Sequence, residues 1–425
     1  MVTQVLFGAF VAFLILNVPI GIAVGLASVF AMLVAGIPLS MLAQGMITSV
    51  DSFPLMAVPF FILAGNLMSK GGITKRLLVV ADVLVGRFHG GLAMVAVATS
   101  MFFGAISGSA PATVAAIGSM LIPEMNKAGY DKKFAAAVVA AAGTIGVIIP
   151  PSIPMVIYGV STNASIGDMF IAGIVPGILV GVLLMAYSYY YARKHDLKGT
   201  DTPFTIKGLF KACADAIWAL LVPVIILGGI YGGVFTPTEA AVVAVVYGFI
   251  AGVFIYKELK WPEVPSVIST SALTTATILI IVGTATTFGR LLALESVPNT
   301  LANAIMSFSS NAFVIMLLIN LLLLFVGMFM ETLAAIIILA PILLPLIIAL
   351  GLDPIHFGII MVVNLAIGFV SPPVGVNLFV ANGISGVPFE QITRAILPFI
   401  AVLFLTLFLI NVIPAISIGV VEFLK

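Results

Sequence analysis

Add 222 to the residue numbers in one half of this 425-residue chain and its punctuation recurs in the other. Pro123 becomes Pro345, Gly129 becomes Gly351 and Asp131 becomes Asp353. Gly146 becomes Gly368, Pro150-Pro151 becomes Pro372-Pro373, Pro176 becomes Pro398, and Asp168 lands on Glu390. Shared hydrophobicity does not align prolines, glycines and acids at a constant offset. The chain is therefore expected to hold two related halves. In a membrane chain, halves broken by Gly and Pro at corresponding positions point to a transport site at the breaks.

The membrane setting follows from composition. Hydrophobic residues make up 62% of the chain and charged residues 8%, against about 25% charged in soluble domains. Apolar runs long enough to cross a bilayer recur from end to end. No basic cluster carries the aromatic interleaving of a nucleic-acid surface. The single Cys213 excludes an internal disulfide. The N-terminus lacks the positive n-region of a secretory signal, so the first apolar stretch is expected to stay in the mature protein.

The apolar segments read 3–16, 19–34, 54–69, 90–122, 134–158 and 170–192, then a polar linker, then 212–235, 238–256, 266–289, 312–344, 357–381 and 394–420. This is an all-α polytopic membrane protein in two repeats, 1–192 and 212–425, joined by a linker at 193–211. Segment 90–122 is broken at Ser107-Gly108-Ser109-Ala110-Pro111, and its counterpart 312–344 is broken near Gly327 to Thr332. Each is either a kinked span or a re-entrant hairpin. Irregular backbone at membrane depth survives only inside protein or beside a wet cavity, so both versions imply an internal site.

The Lys/Arg distribution favours hairpins. With both hairpins re-entrant and the other ten segments spanning, fifteen of the 17 Lys and Arg fall on one face, leaving Arg290 and Lys425 on the other. By the positive-inside rule the first face is cytoplasmic, and both termini lie outside. The loop at Gly129 carries Lys132-Lys133, whereas its equivalent at Gly351 reads Asp353-Pro354-Ile355 without lysine. Five spans per half also invert the second half, as expected of an inverted-topology repeat.

Several residues are candidates for chemistry. Ser107, Gly108, Ser109 and Thr113 at the first tip offer hydroxyls and freed carbonyls of the kind Na⁺ binds. A packing kink of small residues is the bland alternative. Glu331 aligns with Ser109 and is the one charge between Glu295 and Asp353. Placing an acid at the bilayer centre costs at least about 2.5–3.5 kcal/mol, so a buried role with a backbone, cation or proton partner is expected. The breaks Gly146–Ser152, with Pro150, and Gly368–Asn377 strip donors from two spans and free carbonyls. Ser152, Ser371, Gly375 and Asn377 stand beside them. Arg290 is either a carboxylate clamp or an interfacial, snorkelling side chain. His89, His195 and His356 read as loop residues without metal-ligand spacing, so no transition metal is expected. No H-E-x-x-H or G-x-S-x-G motif is present, and no His sits in a span to act as a base, so the chain does not read as an enzyme.

Certain stretches carry a resemblance: Asp51-Ser52-Phe53-Pro54, Pro59–Gly65, Ser107–Thr113, Ile149-Pro150-Pro151-Ser152, Gly233–Ala241 and Ser371–Gly375. Through them the chain resembles, nearly end to end, the large membrane subunit of tripartite ATP-independent periplasmic (TRAP) transporters. The resemblance implies an elevator fold of the ion-transporter-superfamily kind in a bacterial inner membrane. It also implies inward movement of a carboxylated organic anion, of the sialic acid or four-carbon dicarboxylate class, driven by Na⁺. A small four-helix membrane subunit and a soluble periplasmic binding protein would be its partners.

Two or more Na⁺ are expected. Ser107, Gly108, Ser109 and Thr113 would hold one with Gly146, Pro150 and Ser152. Gly327, Glu331 and Thr332 would hold another with Ser371, Gly375 and Asn377. Substrate would lie between them, against Ser109, Pro150, Ser152 and Asn377, with Arg290 a candidate partner. The rival readings are a proton-coupled transporter using Glu331 and a non-transporting channel or scaffold subunit.

Overall fold

In hydrocarbon, backbone N–H and C=O groups must find partners within the chain, and the apolar runs do so as helices. The structure, a computed structural model, describes residues 1–200, 204–298, 300, 303–304 and 311–424. The first half runs α1 (Val2–Ile15), α2 (Ile20–Ala35), α3 (Ser40–Val50), α4 (Ala57–Lys70) and α5 (Ile73–Val85), then α6 (Gly91–Ser107), α7 (Ala110–Lys127), α8 (Lys132–Gly143), α9 (Ile153–Thr162) and α10 (Ile166–Lys194). After α11 (Ile206–Asp215) come α12 (Ile217–Tyr231), α13 (Pro237–Ile250) and α14 (Val264–Leu294). The second half ends with α15 (Ala312–Phe329), α16 (Thr332–Ala349), α17 (Pro354–Gly368), α18 (Val376–Ser385), α19 (Phe389–Val412) and α20 (Ala415–Leu424).

Among the described residues six helices are long and apolar enough to cross a membrane, and eight if two bent pairs each count as one span. Those pairs are α3 with the Pro54–Lys70 segment, bent by 66°, and α11 with α12, bent by 69°. By length and composition α15 and α16 each qualify as a span. The protein is thus a multi-pass, all-helical membrane protein.

The offset of 222 reaches the helix boundaries. It carries the start of α7 onto that of α16, the end of α6 onto that of α15, and the start of α8 onto that of α17. The matching caps share a cause. Asp131 Oδ1 accepts from Lys133 N at 3.0 Å, and Asp353 Oδ1 accepts from Ile355 N at 2.7 Å. Each carboxylate satisfies an otherwise orphaned first-turn donor, as N-caps do.

Three helices escape the apolar-run reading. Helices α3, α5 and α11 are short and carry polar residues, so they have no long hydrophobic stretch to announce them. On α3, Thr48 turns its hydroxyl back onto Gln44 O at 2.8 Å, which lets a polar residue sit in a helix. Helix α11 crosses the 211/212 boundary drawn between linker and second repeat. His356 is also no loop residue: it is buried in the first turn of α17 with Nδ1 2.6 Å from Ser417 Oγ of α20.

Packing crosses the two halves. The second arm of each hairpin lies against the other half's broken span: α7 against α18, and α16 against α9. One large apolar core runs through both. At one end of the molecule three basic segments meet: α5 with its flanking turns, residues 193–200 and residues 257–260. Thr200 N donates to Gly86 O at 2.8 Å, Gly90 N to Leu197 O at 3.0 Å, and Arg76 pairs with Glu258 at 2.8 Å.

Candidate functional site: a cavity where hairpin tips and broken helices meet

The two hairpin tips line one cavity of about 340 Å³. The first contributes Ser107 to Ala112 and the second Glu331 to Leu333. The broken spans add Val147, Ile153 and Pro154 on one side and Phe369 and Val376 on the other. The offset in the sequence therefore brings its four breaks to one place.

The breaks have local causes. Gly108 ends α6 in the left-handed region at φ +60°, where a side chain is strained. A Cβ there would also stand 2.9 Å from Pro151 O. Pro111 at the start of α7 and Pro154 at the start of α9 suit the first turn, where a missing N–H costs nothing. Both Pro-Pro bonds, Pro150-Pro151 and Pro372-Pro373, are cis.

Four helix N-termini border the cavity. They belong to α7 (Ala110, Pro111, Ala112), α9 (Ile153, Pro154), α16 (Thr332, Leu333) and α18 (Val376). Each N-terminus carries about half a positive charge, but the first turn of α9 has its donors taken: Ile153 N meets Gly108 O at 3.4 Å, Ser152 Oγ accepts from Met155 N, and Pro154 has none. Ser109 and Glu331 are the N-caps of α7 and α16, and neither side chain makes a capping bond. Glu331 thus presents an acidic group to the cavity at a helix start.

Beside the first tip lies a knot of oxygens. Ser107 Oγ is 3.0 Å from Thr113 Oγ1, and Thr113 Oγ1 donates to Ser109 O at 2.7 Å. Gly146 seats against this pair; a Cβ on it would overlap Thr113 Oγ1 and come 2.8 Å from Ser109 O. Thr113, Gly146 and Ser152 are all buried. Ser152 is occupied as the cap of α9, donating to Val147 O at 2.6 Å and accepting from Met155 N at 3.4 Å.

The second half repeats the backbone part of this arrangement. Gly368 seats against the Gly327 carbonyl, with the two backbones so close that a Cβ on Gly368 would lie 2.8 Å from Gly327 Cα. Ser371 Oγ donates to Ile367 O at 2.8 Å, and Gly375 turns the chain at φ +56° above Ser371 O. Thr332 is buried one residue past Glu331.

Of the residues expected against substrate, Ser109 lines the cavity, whereas Pro150, Ser152, Asn377 and Arg290 are not among its lining residues. Asn377, placed by spacing with the second site, reaches across to the first half: its Nδ2 donates to Ala140 O at 3.0 Å, and it borders Gly143. The cause is the crossed packing, which sets α18 against α7 and α8. Asn377 is fully buried, and its Oδ1 has no protein partner among the described residues. Arg290 is exposed, lies near Gly45 of α3, and does not line the cavity.

The cavity also has a wall that spacing missed. Asn66 of α4 and Thr270 and Thr274 of α14 face it, and Asn66 Nδ2 donates to Ser271 Oγ at 2.8 Å. An asparagine within an apolar run was the available signal.

Fold and site define a multi-pass helical membrane protein whose interrupted helices meet at a shared cavity. A family model described as "Tripartite ATP-independent periplasmic transporter, DctM component" matches residues 7–416. The chain belongs to this family. It is 52% identical over 413 residues to the isethionate TRAP transporter permease protein DctMQ of Oleidesulfovibrio alaskensis, covering 97% of this chain and 65% of that protein. The chain thus spans just under two thirds of that relative's length. It is 43% identical over 374 residues to the C4-dicarboxylate TRAP transporter large permease protein DctM of Pseudomonas aeruginosa, covering 88% of this chain and 87% of that one. It is 40% identical to the sialic acid TRAP transporter large permease protein SiaM of Vibrio cholerae, covering 94% and 93%. Among solved structures, the YdaH transporter of Alcanivorax borkumensis, described as having an unusual topology, shares the fold with a TM-score of 0.66 at 18% identity. That likeness covers 90% of this chain and 89% of that one. The relatives are named as permeases, so the chain stands in a family of transporters and not of enzymes.

Proposed function

We propose that this chain is the permease through which a bacterial inner membrane takes up an organic acid anion by Na⁺-coupled secondary transport. The observation that carries this reading is the convergence of four helix N-termini on one cavity. Such termini attract anions through their dipoles, and those of α7 and α16 also through uncapped first-turn N–H groups. The acidic Glu331 faces the same space, so an anion entering it needs accompanying positive charge. Cations at the two oxygen-rich breaks supply it: one beside Ser107, Ser109 O, Thr113 and Gly146, another beside Gly327, Gly368, Ser371 and Gly375. Two or more Na⁺ per anion would also let the membrane potential contribute, at about 2.3 kcal/mol per charge per 100 mV.

The repeat, taken as inverted, makes the cavity reachable from either side by moving hairpins and broken spans as a body past the remaining helices. A small membrane subunit and a periplasmic binding protein would complete the system. Isethionate, four-carbon dicarboxylates and sialic acid, named for the relatives, are the first substrates to try.

The test is uptake by the complete reconstituted system against that panel of anions, with an inward Na⁺ gradient and with choline in its place. Saturable uptake that requires Na⁺ is expected. Equal uptake in choline overturns the Na⁺ reading, and uptake without saturation points to a channel. A second reading, proton coupling, rests on Glu331 lining the cavity without a capping bond.

A further inference from the structure

Helix α11 is built like a membrane-surface helix. Thr205 caps it, accepting from Gly208 N at 3.0 Å, and at its far end the chain turns 69° into α12. One face docks on α5: Ala212 and Ala216 are buried with Val80 and Val83, and Leu209 and Cys213 pack against them. The docked face leaves an apolar strip uncovered, because Ile206 and Phe210, one turn apart, are 69% and 72% exposed. Beside that strip stand Lys207 and Lys211, also one turn apart and exposed. An apolar strip flanked by lysines is the pattern of a helix lying in the headgroup plane. Two more basic residues stand beside its C-terminal end: Lys75 and Arg76 of α5 share a surface pocket with Ala212, Asp215 and Glu258, and Arg76 pairs with Glu258.

We infer that α11 is a binding site for anionic phospholipid headgroups, with Ile206 and Phe210 entering the acyl boundary and Lys207 and Lys211 holding phosphates. The charge complementarity decides the occupant. A purely apolar partner surface would leave the two lysines unmatched, whereas an anionic leaflet matches both rows. The site is separate from the transport cavity, so its failure does not touch the functional reading.

The complex, purified in neutral detergent, is titrated with fluorescent phosphatidylglycerol and, in parallel, with phosphatidylcholine. Each lysine near an anionic surface contributes about five-fold in affinity, so K207Q/K211Q should weaken phosphatidylglycerol binding roughly 25-fold and leave phosphatidylcholine binding unchanged. A photoreactive residue at Phe210, in native membranes, should form lipid adducts. Unchanged phosphatidylglycerol binding in the double variant overturns the inference. So does a cross-link from position 210 to another protein, which would make the strip a subunit interface.

Discussion

Thr113 holds the first tip together by donating to Ser109 O while sitting 3.0 Å from Ser107 Oγ. A cation at this point would displace that internal hydrogen bond and collect the three oxygens. Thr113→Val keeps the shape and removes the oxygen, so the Na⁺ concentration for half-maximal uptake should rise about ten-fold, with Thr113→Ser close to wild type. A wild-type Na⁺ dependence in the valine variant would remove Thr113 from the ion site. Glu331 separates the two coupling readings. With Na⁺ as the coupling ion, Glu331→Gln should retain uptake driven by a Na⁺ gradient at fixed pH. If a proton at Glu331 is the coupling ion, uptake should follow an inward proton gradient and be lost in Glu331→Gln.

At the scale of elements, the breaks depend on glycine because backbones meet there. Gly327 and Gly368 bring the second hairpin against its broken span at van der Waals contact of main chains. A methyl on Gly368 must push the hairpin away, at about 1–3 kcal/mol for overpacking. Gly368→Ala should therefore lower the midpoint of thermal unfolding and weaken Na⁺ dependence together. Alanine at Gly129, where a Cβ meets nothing within 4 Å, should leave Na⁺ dependence intact despite its strained φ of +84°. The helix breaks were legible because proline and glycine interrupt otherwise continuous apolar runs. Helices α3, α5 and α11 were not, because polar residues on short helices erase the hydrophobic signal while tertiary contacts still hold the helix.

For the whole molecule, the contacts that join α5 and its flanking turns to residues 193–200 and 257–260 bring many Lys and Arg to one end. Thr3 Oγ1 donates to Glu295 Oε2 at 3.1 Å, tying the N-terminus to the end of α14. If the positive end is cytoplasmic, a cysteine at Lys198 in a Cys213→Ala background should react with an impermeant maleimide only after permeabilisation. One at Ser296 should react in intact cells. The reverse pattern would invert the assigned orientation.

The sequence by itself determined that this chain is a helical membrane protein whose punctuation recurs at an offset of 222 and whose breaks fall at Ser107–Ser109, Pro150, Glu331 and Pro372. Composition and local backbone chemistry suffice for that, since proline, glycine and charge act on their own neighbours. Only the tertiary structure decided which breaks share a cavity and which side chains serve them. It tied Asn377 of the second break to Ala140 of the first half, left Arg290 outside the cavity and brought Asn66 in. These are matters of which helix lies against which, and a 222-residue offset relates equivalent positions without saying which of them touch.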